Sequence, residues 1–192
     1  MEENKLARKI DPELDGLEIL YSKYEILSTV ASLARSMAEY YDNLSTVNVV
    51  PVMTGGMQFS AFLLSELERI QPGKWLVSPI FASAYSSDET LAEPTIEFPI
   101  TFDNRVDFQA PTIVVDDLLD TGTTMMKLMK DIQSRGLQKV DLAVLIDRER
   151  NEPKGIVPRF CGFQLKNDRW LVGFGMDSEQ RYRGLEAVYV QV

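Results

Sequence analysis

The sequence predicts an α/β protein: a mostly parallel, twisted sheet flanked by helices, with a small C-terminal hood. Three observations carry this. β-branched runs alternate with segments of helical period along the first 150 residues. The two clearest runs, VNVVPVM over 47–53 and TIVVDDLL over 112–119, each end in a glycine turn that opens a helix. Beyond residue 147 only short strand-like pieces follow. At 192 residues and 45% hydrophobic the chain can bury one substantial core, so residues 1–192 read as a single domain. Its core spans about 22–150 and its hood about 1–21 and 151–192.

The first helix opens at Ser22, where Glu25 three residues on completes a capping box. Ile26, Val30, Leu33 and Met37 then fall on one face, which should be core. Strand 47–53 contains Pro51, which removes a ladder donor and favours a bulge or irregular end. Thr54-Gly55-Gly56 turns into a helix with Phe59, Phe62, Leu63 and Leu67 in helical period, stopped by Pro72-Gly73. A second strand covers 75–85. Residues 86–111, with three prolines and no clear period, read as a lid or a two-stranded ribbon outside the core sheet. Strand 112–119 leads through Asp120-Thr121-Gly122-Thr123-Thr124 into a helix with Met125, Leu128, Met129 and Ile132 apolar, and Gly136 is its C′ residue. Strand 139–146 completes the core. Pieces at 159–165, 170–174 and 187–192 are expected to close the hood.

Composition excludes several classes of function. There is no histidine, which removes imidazole general bases, Ser-His-Asp and Cys-His triads and HExxH zinc sites together. The single Cys161 can form neither an internal disulfide nor a multi-cysteine zinc site, and reads as an inert thiol. A formal charge of −9 opposes loose binding to nucleic acid or an anionic membrane. No run approaches the roughly 20 apolar residues of a membrane span, and the amino terminus lacks a signal-peptide core. The cytoplasm is the expected compartment.

The densest constellation is VVDDLLDTGTT, residues 114–124. It follows a strand and opens a helix, the position at which open parallel sheets bind ligands. Asp120 to Thr124 offer successive backbone N–H groups, a glycine, hydroxyls and a helix N-terminus, which together suit a phosphate monoester. Asp116, Asp117 and Asp120 repel one another unless a cation or a donor-rich ligand lies between them, and a ribose diol with Mg²⁺ supplies both. An Asp-rich DDxxD on a helix and a GxxxxGK[ST] phosphate loop are the competing motifs; the acids here follow a strand, and the second pattern does not occur. The plain structural alternative is that Asp120 or Thr121 merely caps the helix.

This stretch resembles the phosphoribosyl-diphosphate signature of type I phosphoribosyltransferases: four hydrophobics around two acids, then an Asp-Thr-Gly turn. The C-terminal FCGFQLKNDRWLVGFGMDSEQRYRGL (160–185) resembles the hypoxanthine-guanine phosphoribosyltransferases in particular, and the likeness extends over nearly the whole chain. The resemblance implies the type I fold and Mg²⁺-dependent transfer of a 5-phosphoribosyl group from phosphoribosyl diphosphate to a purine base, hypoxanthine or guanine first, in purine salvage. It assigns Asp120 as the general base or proton relay, and Asp116 and Asp117 to the ribose hydroxyls and metal waters. It assigns Thr121, Gly122, Thr123 and Thr124 to the 5-phosphate, and Met53, Thr54, Gly55 and Arg183 to pyrophosphate. Trp170 would stack on the base, Leu171 would touch it through its backbone, and Asp177 would complete the metal site. A homodimer or homotetramer is implied as well.

Where the family usually supplies a lysine to the purine 6-oxo group, the count lands on Val157, which cannot donate. Arg159, two residues on and on the same strand face, is the substitute the spacing offers. Ala84-Tyr85 replaces the usual Ser-Tyr, and Thr54 replaces a frequent lysine. Two other readings stay open on these departures: a regulatory protein that senses phosphoribosyl diphosphate, and a phosphoribosyltransferase for another base such as a pyrimidine.

Overall fold

Six strands line up in the order Glu89–Glu97, Ile80–Ser86, Val47–Met53, Thr112–Leu119, Val140–Arg148 and Phe160–Leu165, and Trp75–Val77 adds to Val47–Met53 beside Ile80–Ser86. The computed structural model describes residues 16–86 and 89–192. Its elements are β1 (Leu17–Tyr21), α1 (Lys23–Tyr40), β2 (Val47–Met53), α2 (Met57–Ile70), β3 (Trp75–Val77), β4 (Ile80–Ser86) and β5 (Glu89–Glu97). They continue with β6 (Thr112–Leu119), α3 (Thr123–Ser134), β7 (Val140–Arg148), β8 (Phe160–Leu165), β9 (Leu171–Val172) and β10 (Val188–Gln191). Every pairing in the large sheet is parallel except β4 with β5. A separate antiparallel sheet, β1-β10-β9, forms the hood. The fold is the α/β architecture expected, with a mostly parallel sheet flanked by helices.

Strand alternation gives the sheet two apolar faces. Val47, Val49, Ile113 and Val115 meet Ile26, Val30 and Met37 of α1 and Phe59, Leu63 and Leu67 of α2. Val50, Val52, Val114 and Val144 meet Leu128 and Ile132 of α3 and the loop residue Phe102. Each fully buried side chain of this size contributes about 1.5–3 kcal/mol. The capping box at Ser22 forms in both directions: Ser22 N donates to Glu25 Oε2 at 2.8 Å, and Glu25 N donates to Ser22 Oγ at 3.4 Å. Gly136 ends α3 at φ 102°. Among the described residues no helix is long and apolar enough to cross a membrane.

Five expectations differ from the structure. Pro51 makes no bulge: its register to β6 is unbroken, and on its other side it lies opposite the Ser78-Pro79 break between β3 and β4. That break also splits the strand expected over 75–85 in two. Residues 86–111 are not outside the sheet, because β5 pairs with β4 as its outer strand, Phe81 opposite Glu97. The following loop is held by Asn48, whose Nδ2 donates to Asp107 O and whose Oδ1 accepts from Asp107 N, both at 2.8 Å. Segment 159–165 was expected in the hood, yet β8 runs parallel to β7, Ala143 opposite Phe160, as the other outer strand of the main sheet. Its crossover contains no helix, so the sequence offers no α/β alternation to announce it. Phe62 turns out of the core and stacks on Phe174 of the hood, with centroids 5.6 Å apart. Of the expected hood, residues 1–15 lie outside the described residues.

Candidate active site

Parallel registers bring the C-terminal ends of β2, β6 and β7 to one edge, with Leu119 opposite Asp147. Asp116 and Asp117 stand at this edge. Asp117 is buried against the β2–α2 turn, so closely that a Cβ on Gly55 would lie 2.6 Å from its Oδ2. Burial holds the Asp116 carboxyl well above the usual carboxylate range, and the charge of Asp117 adds to the effect. Burial raises Asp117 too, opposed by hydrogen bonds and by the positive charge of Arg183. In the ligand-free protein it is therefore costly for both carboxyls to carry a charge.

Asp120 follows on the turn and meets two arginines from the end of β7. Arg150 donates from Nε to Asp120 Oδ1 at 2.6 Å, and its Nη2 reaches the same oxygen. Arg148 Nε stands 3.7 Å from that oxygen. Arg148 is buried, its Nη1 donates to the carbonyls of Asn167 and Arg169, and its Nε is a buried donor with no hydrogen-bond partner among the described residues. Burial lowers its pKa. A buried guanidinium with a free donor beside a carboxylate is a binding group awaiting an acceptor.

Gly122 takes the N-cap position of α3 at φ 84°, and no side chain caps the helix. The first turn carries no acidic residue. Thr121 Oγ1 donates to Thr123 Oγ1 at 3.3 Å, and Asp120 points instead to the arginines. The alternative in which Asp120 or Thr121 serves as the cap is therefore not what forms. The N–H groups at Thr123 and Thr124 belong to an uncapped helix N-terminus, which suits an anion. A Cβ on Gly122 would meet the carbonyl oxygen of Lys154 at 2.6 Å, so the turn is closed from behind by the β7–β8 loop.

The hood closes the other side. The Met53–Thr54 peptide bond is cis. Gly55 beyond it packs on Gly175, where a Cβ would lie 1.9 Å from Gly55 O. Gln58 Nε2 donates to Arg183 O at 2.8 Å. Arg183 donates from Nη1 to Gly175 O at 2.7 Å and pairs through Nη2 with Asp177 Oδ1 at 2.7 Å. Asp177 Oδ2 accepts from Gln180 N at 2.8 Å, so both its oxygens are engaged. Trp170 is half exposed, with Nε1 donating to Asp177 O at 2.8 Å, and the neighbouring Leu171 is buried. Asp116, Asp117, Thr54, Gly55, Gly175 and Arg183 thus form one wall, and Asp120, Arg148 and the α3 N-terminus another.

Of the expected base-binding residues, Arg159 is not brought to this site. Val157 is 86% exposed. Arg159 pairs with Asp141 and lies over the Tyr40 ring at 4.6 Å. Asp141 is opposite Ile113, six residues before the Leu119–Asp147 pair, which puts Arg159 about 20 Å away at the opposite edge of the sheet. Strand parity alone does not say which end of the sheet Arg159 occupies. The cations that do reach Asp120 are Arg148 and Arg150, in the segment DRER that ends β7 and runs two residues past it. Their spacing to the β6 motif was the available signal, since parallel strands of equal length bring their ends together.

The adjacent carboxylates of Asp116 and Asp117 offer hard oxygen donors, which suit Mg²⁺. Among the described residues no three acidic, histidine or cysteine groups cluster as a complete metal site. An ion here would take its remaining oxygens from water and from a bound diphosphate, as Mg²⁺ commonly does. On that basis the residues fit the ion, with Asp116 and Asp117 as the donors.

A family model for the phosphoribosyl transferase domain matches residues 16–179. The chain is 29% identical over 181 residues to a hypoxanthine-guanine-xanthine phosphoribosyltransferase of Tritrichomonas foetus, covering 92% of this chain and 93% of that one. It is 26% identical over 171 residues to the hypoxanthine phosphoribosyltransferase of Escherichia coli K12, covering 88% and 92%. A hypoxanthine phosphoribosyltransferase structure from Staphylococcus aureus superimposes with a TM-score of 0.80 at 20% identity, covering 96% of each chain.

Proposed function

Because the chain belongs to the phosphoribosyltransferase family, we propose that it transfers the 5-phosphoribosyl group of phosphoribosyl diphosphate to N9 of a 6-oxopurine, hypoxanthine or guanine. The observation that carries this is the β6–α3 turn, where paired acids, an uncapped helix N-terminus and the Asp120–Arg148 pair meet. In the transfer the bond from C1′ to the pyrophosphate oxygen breaks, the N9–C1′ bond forms, and one proton leaves the base.

Thr121 to Thr124 bind the 5-phosphate and fix the sugar. Asp116 and Asp117 accept from the ribose hydroxyls, which replace their mutual repulsion with hydrogen bonds. When bound, Mg²⁺ supplies positive charge to the departing pyrophosphate. The Thr54–Gly55 turn and Arg183 bind that leaving group. Asp120 receives the proton from N7 of the base as N9 bonds to carbon. Arg148 donates to the 6-oxo oxygen, in the role for which Val157 has no donor and Arg159 lies too far away. Trp170 covers the base, and the Leu171 backbone borders its edge.

This reading places a homodimer or homotetramer in the cytoplasm, serving purine salvage. Its test is pyrophosphate release from phosphoribosyl diphosphate and Mg²⁺ with hypoxanthine, guanine, xanthine, adenine and uracil in turn. Turnover with hypoxanthine or guanine is expected. Arg148→Met should lower kcat/KM for those bases roughly 10- to 150-fold, the loss of one charge-assisted hydrogen bond of about 1.5–3 kcal/mol. Preference for adenine or uracil, or sugar-diphosphate binding without turnover on any base, would contradict it.

A further inference from the structure

Arg150 has no part in the scheme above, yet it is the closest cation to Asp120. Its Nε and Nη2 both go to Asp120 Oδ1, and its Nη1 goes to Asp168 Oδ1. Asp168 is two residues before Trp170, in a loop whose flanking carbonyls, Asn167 O and Arg169 O, already accept from Arg148. Arg148 ends β7 and Arg150 lies two residues on, just past the strand, and both guanidinium groups come to Asp120.

From this we propose that Arg150 is a positioning residue: it fixes Oδ1 of Asp120, leaves Oδ2 for the base, and ties that carboxylate to the loop carrying Trp170. A carboxylate on a partly exposed turn rotates freely about its last torsion. A guanidinium holding one oxygen through two N–H groups removes that freedom, because its planar fork is already shaped for the contact. Asp120 Oδ2 makes no hydrogen bond among the described residues and is the oxygen left to accept a proton. A surface ion pair such as Arg150–Asp168 is worth little alone. Here it acts on a segment that Arg148 already holds on both sides. The group that takes the proton and the ring that covers the base are thereby set relative to each other before the base arrives.

The catalytic half of this inference rests on the purine-transfer reading; the mechanical bridge does not. Kinetically, Arg150→Gln should lower kcat for hypoxanthine roughly 10-fold while leaving KM for phosphoribosyl diphosphate unchanged, and Arg150→Lys should recover part of the loss. In an Asp120→Asn background the same change should cost less than about twofold, since a residue acting through Asp120 has nothing left to position. Equal losses in both backgrounds, or faster turnover in Arg150→Gln, overturn the catalytic half. Mechanically, amide hydrogen exchange over residues 166–170 should quicken in Arg150→Gln and in Asp168→Asn, with 188–191 unchanged. Unaltered exchange in both variants overturns the bridge. A wild-type protein that turns over no purine defeats the purine-transfer reading and with it the catalytic half, while the exchange result still decides the bridge.

Discussion

Asp120→Asn is expected to lower kcat for purine transfer by about 10²- to 10⁴-fold while leaving the dissociation constant for phosphoribosyl diphosphate within about threefold. The split follows from position. On the proposed reading the sugar diphosphate is held by Asp116, Asp117, the α3 N-terminus and the β2–α2 turn, none of which depends on Asp120 for its hydrogen bonds. Asp120 faces Arg148, Arg150 and the loop before Trp170, which the proposed reading makes the base side of the site. An amide in its place keeps an acceptor and the shape but cannot take the proton from the base. Steady-state rates together with calorimetric titration of the sugar diphosphate check both halves. Equal losses in turnover and affinity would remove Asp120 from the role of base.

The second large effect has opposite signs on stability and on binding. Asp116→Asn should raise the melting temperature of the ligand-free, metal-free protein at neutral pH. It should also weaken phosphoribosyl diphosphate binding roughly 10- to 150-fold through loss of a charge-assisted hydrogen bond. Burial and the neighbouring Asp117 hold the Asp116 carboxyl well above the usual range. The folded state therefore binds a proton that the unfolded chain has already released. Stability from this group is complete below the unfolded value, near 3.8, and is lost as pH rises through the higher folded value. Denaturation at a series of pH values should show that decline in wild type and a shallower one in Asp116→Asn. A variant less stable than wild type at neutral pH would contradict the account. On the proposed reading the site is built around a repulsion that its ligand relieves, one common way a protein exchanges stability for function.

Much of this was legible locally. The β6 run, the Asp-Thr-Gly turn and α3 lie in one continuous stretch, and the signals that place them are local: β-branched residues, a glycine that must take positive φ, and apolar positions at helical spacing. The capping box at Ser22 is equally local. What was not legible depends on register. Arg148 and Arg150 look like surface charges until β7 is laid beside β6 with Leu119 opposite Asp147. Arg159 looks like a base-site donor until β8 is seen to start at the far end of β7. The sequence around 150–159 gives no helix between those two strands, so a parallel crossover there leaves no periodic trace. Phe62 fits the core stripe of α2, but its ring is claimed by Phe174, more than a hundred residues later. Contacts of that separation have no signature in a single sequence.

The central claim is that the turn after β6 grips phosphoribosyl diphosphate. Crystals grown with Mg²⁺ and saturating phosphoribosyl diphosphate test it most directly. The expected density sets the 5-phosphate on the backbone amides of Thr121 to Thr124, the ribose hydroxyls on Asp116 and Asp117, and the pyrophosphate beside Thr54, Gly55 and Arg183. Density for the sugar diphosphate elsewhere on the chain, or none at saturation, would contradict the account.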